Sequence, residues 1–86
     1  MFHIPSDCVP VHPGKILREE FLIPKGLTQR ELANAIHVPY QLINDLVNGR
    51  RSMTPSTALR LAKYFGMSAS YWMKLQLRWE QYLVNH

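Results

Sequence analysis

Three polar side chains that can hydrogen-bond to the edges of nucleic-acid bases lie close together in the sequence. Gln41 and Asn44 can each pair bidentately with adenine, and Asp45 can accept from the amino group of cytosine. The residues that follow include the polar and basic types that grip a sugar–phosphate backbone: Asn48, Arg50, Arg51 and Ser52. This order of residue types is the chemistry that a surface for double-stranded DNA requires.

These side chains need an element that presents them together, and the sequence predicts a helix over residues 40–48. Ile43, Leu46 and Val47 give this helix an inward apolar face on the side opposite the polar residues. Gly49 is suited to the left-handed position that follows a helix end. The polar residues are therefore expected on an exposed helix face.

A second helix is predicted directly before it. Thr28 and Glu31 have the spacing of a capping box, and the helix they start runs to residue 35 or 36. Gln29 at its start is placed to donate to a phosphate, towards which a helix N-terminus points its free amides. Two helices of about eight and nine residues with a short connection have the dimensions of a helix-turn-helix. An ordinary helical hairpin with a solvated polar face is the alternative.

Start and stop signals divide the remaining chain into three further short helices, and no alternating apolar pattern predicts a strand. Pro13 opens the first helix, which ends at residues 24–26. Pro55 opens the fourth helix and Gly66 ends it, and the fifth helix covers about residues 68–83. The fold class predicted is all-α.

The length of 86 residues fits one small domain. We expect residues 1–12 to form an N-terminal arm and residues 13–86 to form a single domain. Cys8 is the sole cysteine, which excludes an intramolecular disulfide and a cysteine-based zinc site. The sequence has neither a secretory signal nor an apolar run of membrane-spanning length, so we expect a cytoplasmic protein.

The charge is unevenly distributed along the chain. Ten Lys and Arg against six Asp and Glu give a formal net charge of +4. Between Glu31 and Glu80 the only acidic residue is Asp45. The basic middle of the chain therefore suits a polyanionic partner such as nucleic acid.

Catalysis and cofactor binding are not expected. The four histidines are scattered and lack metal-ligand spacing, and the four glycines stand singly rather than in a phosphate-binding loop. Glu19 and Glu20 are adjacent on a helix, where neighbouring side chains point apart. We expect His12, directly before Pro13, to cap a helix or to pack its ring.

Several motifs resemble known families. Residues 27–33 (LTQRELA), with Val38, Ile43 and residues 48–50 (NGR), are similar to the Xre/Cro-type helix-turn-helix of phage-repressor-like proteins. Residues 12–22 (HPGKILREEFL) precede this unit, and residues 57–66 (TALRLAKYFG) and 72–76 (WMKLQ) follow it. Together they make residues 12–80 resemble the HigA family of antitoxins. The His-Pro-Gly opening and the Trp-x-x-Leu-Gln helix are the more specific parts.

The resemblance implies a five-helix fold of the lambda-repressor (Xre/Cro) type and a role in a type II toxin–antitoxin system. A HigA antitoxin neutralises a HigB-like toxin, which is an mRNA endonuclease, and represses its own operon as a dimer on palindromic operator DNA. Family members often carry basic or small polar residues where Tyr40 and Leu42 stand here. By position in the motif, the DNA-facing residues are Thr28, Gln29, Tyr40, Gln41, Asn44, Asp45, Asn48, Arg50 and Arg51.

A single recognition helix reads only a few base pairs, so specific binding usually needs two half-sites about 34 Å apart and hence a dimer. The fifth helix is apolar on more than one face, which exceeds what a five-helix core needs. The alternative places Trp72 and Leu75 in the intramolecular core, with Trp79 at the end of the domain. The predicted dimer interface consists of Tyr71, Trp72, Leu75, Trp79, Tyr82 and Leu83.

We expect the toxin contact in residues 1–12 and part of the first helix, and a folded surface of the domain is the alternative. Two other functions stay open at this point. One is a stand-alone Xre-type transcriptional regulator without a toxin partner. The other is an interaction module that no longer binds DNA, which Tyr40 and Leu42 would permit.

Overall fold

The computed structural model describes residues 10–85, and this part of the chain contains five helices and no strand, which confirms the predicted fold class. None of the five helices is long and apolar enough to cross a membrane. The first, α1, is continuous over residues 13–25 and consists of Pro13–Ile16, a π-helical stretch Leu17–Leu22, and Ile23–Lys25. The others are α2 (Gln29–Ile36), α3 (Tyr40–Val47), α4 (Pro55–Phe65) and α5 (Ala69–Asn85).

Local signals set most of the helix ends. Gly26 and Gly66 have φ values of 61° and 68° and end α1 and α4, because the left-handed conformation suits glycine. His37 ends α2 at φ 60° and is the one non-glycine residue with positive φ within residues 10–85. Two predicted ends are slightly wrong: α3 stops at Val47, one residue early, and α5 continues to Asn85.

One hydrophobic core receives side chains from all five helices. Trp72 of α5 is fully buried in it, and its ring centroid lies 5.0 Å from that of Phe21, which in turn lies 4.8 Å from that of Phe65. Burying a large apolar side chain stabilises a fold by about 1.5–3 kcal/mol. The core consists of Leu17, Phe21, Leu22, Leu32, Ala33, Ile36, Ile43, Leu46, Met53, Ala58, Leu61, Trp72 and Leu75.

The N-terminus of α1 packs directly on the C-terminal end of α3. Gly14 is buried there, and a Cβ atom at this position would overlap the carbonyl group of Leu46. His12 is the N-cap of α1: its Nδ1 accepts a hydrogen bond from the Gly14 N–H at 2.9 Å. Pro13 takes the first helical position, where a missing N–H has no cost. The His12 ring also meets the Trp79 ring edge-on, so it both caps and packs, as expected.

Candidate DNA interface

The N-terminus of α2 is built by the predicted capping box. Thr28 Oγ1 accepts from the Glu31 N–H at 3.0 Å, and Glu31 Oε1 accepts from the Thr28 N–H at 2.9 Å. The hydrogen bonds with the backbone and hydroxyl of Thr28 hold the pKa of Glu31 below its ordinary value. The N–H groups of Gln29 and Arg30, the first two residues of α2, have no acceptor within the helix. At the positive end of the helix dipole, they suit one phosphate.

Asn44 lies at the centre of the polar surface and joins three elements. Its Nδ2 donates to Gln29 Oε1 of α2 at 3.0 Å and to the Tyr40 hydroxyl at 3.3 Å. Its Oδ1 accepts from Arg50 Nη2 at 3.0 Å. Therefore α2, α3 and the chain that follows α3 share one hydrogen-bonded network.

Asp45 brings a negative charge to this surface, and neighbouring side chains compensate it. Gln41 Nε2 donates to Asp45 Oδ1 at 2.8 Å. Arg50 Nε lies 3.4 Å from Oδ1, and Arg51 Nη2 lies 3.9 Å from Oδ2. Exposed ion pairs of this kind contribute less than about 1 kcal/mol, so they orient the side chains more than they stabilise the fold. The two arginines also offset a charge that would otherwise repel a phosphate.

Residues 48–54 connect α3 to α4 and are called the arginine loop below. At its start, the Arg50 N–H donates to the Asp45 carbonyl at 2.8 Å. At its other end, Met53 is buried, and its N–H donates to Gln76 Oε1 of α5 at 2.8 Å. Because Gln76 is buried as well, this bond is shielded from water. The two arginines thus stand on a backbone that is held at both ends.

Tyr40 and Leu42 are half-buried, and both pack against the core. The guanidinium of Arg30 lies 4.2 Å from the centroid of the Tyr40 ring, which is cation–π distance. Tyr40 therefore joins α2 to α3 while its hydroxyl reaches Asn44. Tyr40 is thus part of the polar surface around Asn44, and Leu42 packs α3 against the core.

The nine predicted DNA-facing residues form one continuous surface. Thr28 precedes Gln29 at the start of α2, and Asn48 Nδ2 donates to the Asn44 carbonyl at 2.8 Å. Contact with DNA stays a prediction for all nine. Apart from Thr28 and Asn48, these residues are linked to one another by side-chain hydrogen bonds or ion pairs: Gln29, Tyr40, Gln41, Asn44, Asp45, Arg50 and Arg51.

Sequence reasoning missed Arg18 and Gln76 as parts of this site. Arg18 of α1 is exposed and lines one depression with Thr28 and a second with Asn48, so it lies between both predicted phosphate-binding regions. Its one signal in the sequence is that it is a basic residue, directly after the apolar Leu17 of the predicted first helix. Gln76 ends the Trp-x-x-Leu-Gln motif, but the motif does not indicate its partner, which is a backbone N–H of the arginine loop.

Two residues of the predicted dimer interface need correction. Trp72 and Leu75 have exposures of 0% and 2% and lie in the core, so they offer no surface to a second chain. The alternative that placed them in the intramolecular core is confirmed. Tyr71 is half-buried beside Trp72, and burial together with the negative charge of Glu20 raises its pKa.

The other predicted interface residues lie near the C-terminal end of α5. Trp79 and Leu83 follow Leu75 at intervals of four, so they continue the core-facing stripe of the helix. However, the stripe leaves the core towards its end: Trp79 contacts the His12 ring at the N-terminus of α1, and residues 83–85 of α5 are exposed. Trp79 and Tyr82 are half-buried with stacked rings 5.9 Å apart, and Leu83 is 54% exposed. An apolar helix end left exposed in this way suits association with a second copy.

Residues 1–9 of the predicted N-terminal arm, including Cys8, lie outside the described residues. Pro10 and Val11 line a groove with His12, Lys15 and Trp79, among other residues. Over residues 10–85, no group of three His, Cys, Asp or Glu is arranged to hold a metal ion.

Comparison with known proteins identifies the family. A helix-turn-helix family model matches residues 17–72. The chain is 47% identical over 75 residues to Virulence-associated protein I of Dichelobacter nodosus, across 87% of this chain and 69% of that protein. It is 36% identical over 67 residues to antitoxin HigA-1 of Vibrio cholerae, across 78% of this chain and 63% of that antitoxin.

A solved structure is similar in both sequence and fold. The Pseudomonas aeruginosa antitoxin HigA with the higBA promoter is 39% identical, with a TM-score of 0.85 over 87% of this chain and 82% of that one. The family consists of DNA-binding regulators and antitoxins and not of enzymes. This chain belongs to the helix-turn-helix family of the Xre/Cro type, within the group that contains the HigA antitoxins.

Proposed function

We propose that this chain is the antitoxin of a type II toxin–antitoxin pair, which represses its own operon as a dimer and neutralises a HigB-like mRNA endonuclease. The observation that carries the proposal is the continuous polar surface on α2, α3 and the arginine loop. Its support is the likeness to a HigA structure determined with promoter DNA. Such a role places the protein in the cytoplasm.

In the proposed complex, α3 lies in the major groove of the operator. Gln41 and Asn44 read base edges, and Asn44 exchanges its bonds to neighbouring side chains for bonds to a base. The N–H groups at the start of α2 bind one phosphate. The arginine loop binds the backbone on the other side, with Arg50 and Arg51 as its cations. Phosphate contacts set the register, and α3 sets the sequence preference.

The proposed dimer forms through the C-terminal part of α5, and residues 13–86 act as one domain. Trp79, Tyr82 and Leu83 supply the apolar contact, because the stripe they belong to continues beyond the core. To bind a palindromic operator, this dimer has to place its two α3 helices on half-sites about 34 Å apart. Leu83→Glu should shift the chain from dimer to monomer in analytical ultracentrifugation, while Lys74→Glu, also on α5, should not.

The DNA part is tested with duplexes of 30 base pairs that tile the DNA upstream of the gene. Binding is measured by fluorescence anisotropy over a series of salt concentrations. We expect one duplex to bind best, and Arg50→Ala to weaken all binding and to lower the salt slope by about 1. The matched control is Lys74→Ala, which removes an exposed cation far along the sequence from the proposed interface. If Arg50→Ala and Lys74→Ala behave alike, the assigned surface is wrong.

The toxin part is tested by co-expression with the product of the neighbouring short reading frame. The proposal expects a stable complex that abolishes mRNA cleavage by that product. Residues 1–12 and the exposed face of α1 are the proposed contact, so deletion of residues 1–9 should weaken the complex. Operator binding without any toxin would identify a stand-alone regulator. A toxin complex without DNA binding would identify an interaction module.

A further inference from the structure

Gln41 and Asp45 lie one turn apart on α3 and share a hydrogen bond. Gln41 Nε2 donates to Asp45 Oδ1 at 2.8 Å. Residues four apart lie on the same side of a helix, so the bond runs along the polar face of α3. Within residues 10–85 it is the one hydrogen bond of the Gln41 side chain, and Oε1 accepts none. The nitrogen of this exposed amide is therefore held, and its oxygen is open to a ligand.

The chemistry of Asp45 determines which end of the Gln41 amide is held. An ionised carboxylate has acceptor atoms only, so it bonds to the amide nitrogen and not to the amide oxygen. The amide group of glutamine has two N–H donors and one acceptor oxygen. Because Asp45 engages one N–H, Gln41 keeps one donor and the acceptor Oε1 for a ligand. The side chain is thus prepared for a partner that offers one acceptor and one donor side by side.

Asp45 is itself held in position by the arginine loop. Arg50 Nε lies 3.4 Å from its Oδ1, and Arg51 Nη2 lies 3.9 Å from its Oδ2. The Asp45 carbonyl also accepts from the Arg50 N–H at 2.8 Å. The side chain of Asp45 is only 22% exposed, whereas Gln41 is an exposed residue. Asp45 is therefore better placed to support Gln41 than to reach a base.

The base that matches one donor and one acceptor is adenine. In the major groove, adenine alone among the four bases shows an acceptor, N7, beside a donor, its N6 amino group. Guanine shows two acceptors there, so pairing with both requires two donors. We propose that Asp45 is a positioning residue that restricts Gln41 to reading adenine and excludes guanine. The inference rests on the proposed function, because it requires α3 to lie in the major groove.

Asp45→Asn tests this role. Asparagine has nearly the same shape as aspartate but carries donors as well as an acceptor, so the Gln41 amide can turn and bond through its oxygen. Both N–H groups of Gln41 are then available for guanine. At one base pair of the best upstream duplex, the preference for A·T over G·C should fall from about tenfold or more to about twofold. The affinity for all duplexes should rise at the same time, because a negative charge leaves the surface that binds DNA.

Glu31→Gln is the matched control. It also removes one carboxylate from this side of the domain, and glutamine at this position retains the capping box with Thr28. Affinity for all duplexes should rise in this variant, while the preference at the base pair read by Gln41 stays as in the unmodified protein. Competition between duplexes that differ at single base pairs measures both quantities. If Glu31→Gln relaxes the preference as strongly as Asp45→Asn, the lost charge explains the effect and the proposal is overturned.

Gln41→Ala identifies the base pair that Gln41 reads. When Asp45→Asn is added to Gln41→Ala, the preference at this base pair should change no further, because Asp45 acts through Gln41. Two results contradict the proposal. In the first, Asp45→Asn keeps the full preference for adenine at this base pair. In the second, it loses a preference for cytosine at another base pair, which would make Asp45 a base-reading residue.

The hydrogen bond is also measured without DNA, which distinguishes a failure of the proposed function. The side-chain amide signals of Gln41 in an NMR spectrum are identified by their absence in Gln41→Ala. They should shift in Asp45→Asn and stay in place in Glu31→Gln. If they do so but the unmodified protein binds none of the upstream duplexes, the DNA role of the chain falls, and that of Asp45 with it. If the protein binds and Asp45→Asn retains the base preference, only the role of Asp45 falls.

Discussion

The two ends of α3 are held in different ways, although the helix has only eight residues. At its C-terminal end, Leu46 is fully buried and its carbonyl group lies against Gly14 with no space for another atom. At its N-terminal end, Pro39 is the N-cap without a side-chain hydrogen bond, and Gln41 is exposed. The C-terminal end fixes the backbone of the helix, and the N-terminal end exposes the Gln41 side chain.

This difference corresponds to two tasks of a DNA-reading helix, which is the role proposed for α3. A base-specific contact needs a backbone held to within a fraction of an ångström, because hydrogen bonds weaken steeply with distance and angle. It also needs side chains that are free to leave their own partners. Here α1 and the arginine loop fix the position of α3, and the first turns of α3 supply the exposed Gln41, which is bonded only to the neighbouring Asp45 among the contacts described above.

The largest effect is expected for Gly14→Ala, at the contact between α1 and the C-terminal end of α3. The added methyl group would force α1 away from α3, and overpacking against backbone should lower the free energy of unfolding by about 3 kcal/mol. Urea denaturation measures this loss. The matched control is Gly66→Ala, which has open space around it and carries only the cost of its left-handed conformation, roughly 1–2 kcal/mol. Equal losses would mean that close packing does not fix α3.

The next effect concerns the arginine loop. Gln76→Leu should leave the buried Met53 N–H without its acceptor, which costs about 1–3 kcal/mol of stability. Thermal unfolding followed by circular dichroism checks this change. Glu80→Ala is the control, because it removes the other hydrogen-bond partner of Gln76 but leaves the Met53 bond intact. A Gln76→Leu protein as stable as this control would show that the loop is held from elsewhere.

At the N-terminal end of α3, Gln41→Ala should change the free energy of unfolding by less than about 0.5 kcal/mol, because the Gln41 side chain is exposed. If Gln41 reads a base, the same change removes about 1–3 kcal/mol of discrimination at one base pair of the operator. Competition between duplexes that differ at single positions measures it. Uniform weakening at all positions would reassign Gln41 from base reading to backbone contact.

The smallest effect is a dependence of stability on pH that originates at His12. Burial lowers its pKa in the folded protein, so below the ordinary value of 6.5 the unfolded chain binds a proton more readily than the folded one. The stability from the neutral ring is complete above pH 6.5 and is lost as the pH falls towards the folded pKa. Melting temperatures at about pH 7.5 and about pH 5.5 should differ more in the unmodified protein than in His12→Asn. Equal differences would show that the pH dependence of stability does not originate at His12.

The sequence predicts the N-terminal end of α3 and the start of α2 well, because interactions within one helical turn determine them. The hydroxyl and carboxylate of Thr28 and Glu31 bond within one turn, so their spacing alone specifies the capping box. Gly26 and Gly66 end helices for a reason that is equally local. For the same reason, the polar face of α3 could be described before its neighbours were known.

The packing of the C-terminal end of α3 could not be predicted in this way, because it depends on contacts between distant segments. Nothing near Gly14 indicates that the carbonyl of Leu46 will lie against it. Trp72 and Trp79 lie on one stripe of α5, and only contacts with distant segments decide that the first is buried against Phe21 and the second is half-buried beside His12. Gln76 is a polar residue in a helix, and only the folded structure brings the Met53 N–H within hydrogen-bond distance of its side chain.

The contact between Gly14 and the Leu46 carbonyl also has a consequence for how such proteins diversify. Because this contact and the buried Ile43 fix α3 without help from the exposed Gln41, the residue at position 41 can be exchanged while the helix keeps its position. If α3 reads DNA as proposed, new operator preferences are then reachable by single substitutions that leave the scaffold intact. Gene copies within one genome could in this way come to recognise separate promoters without first evolving a new fold.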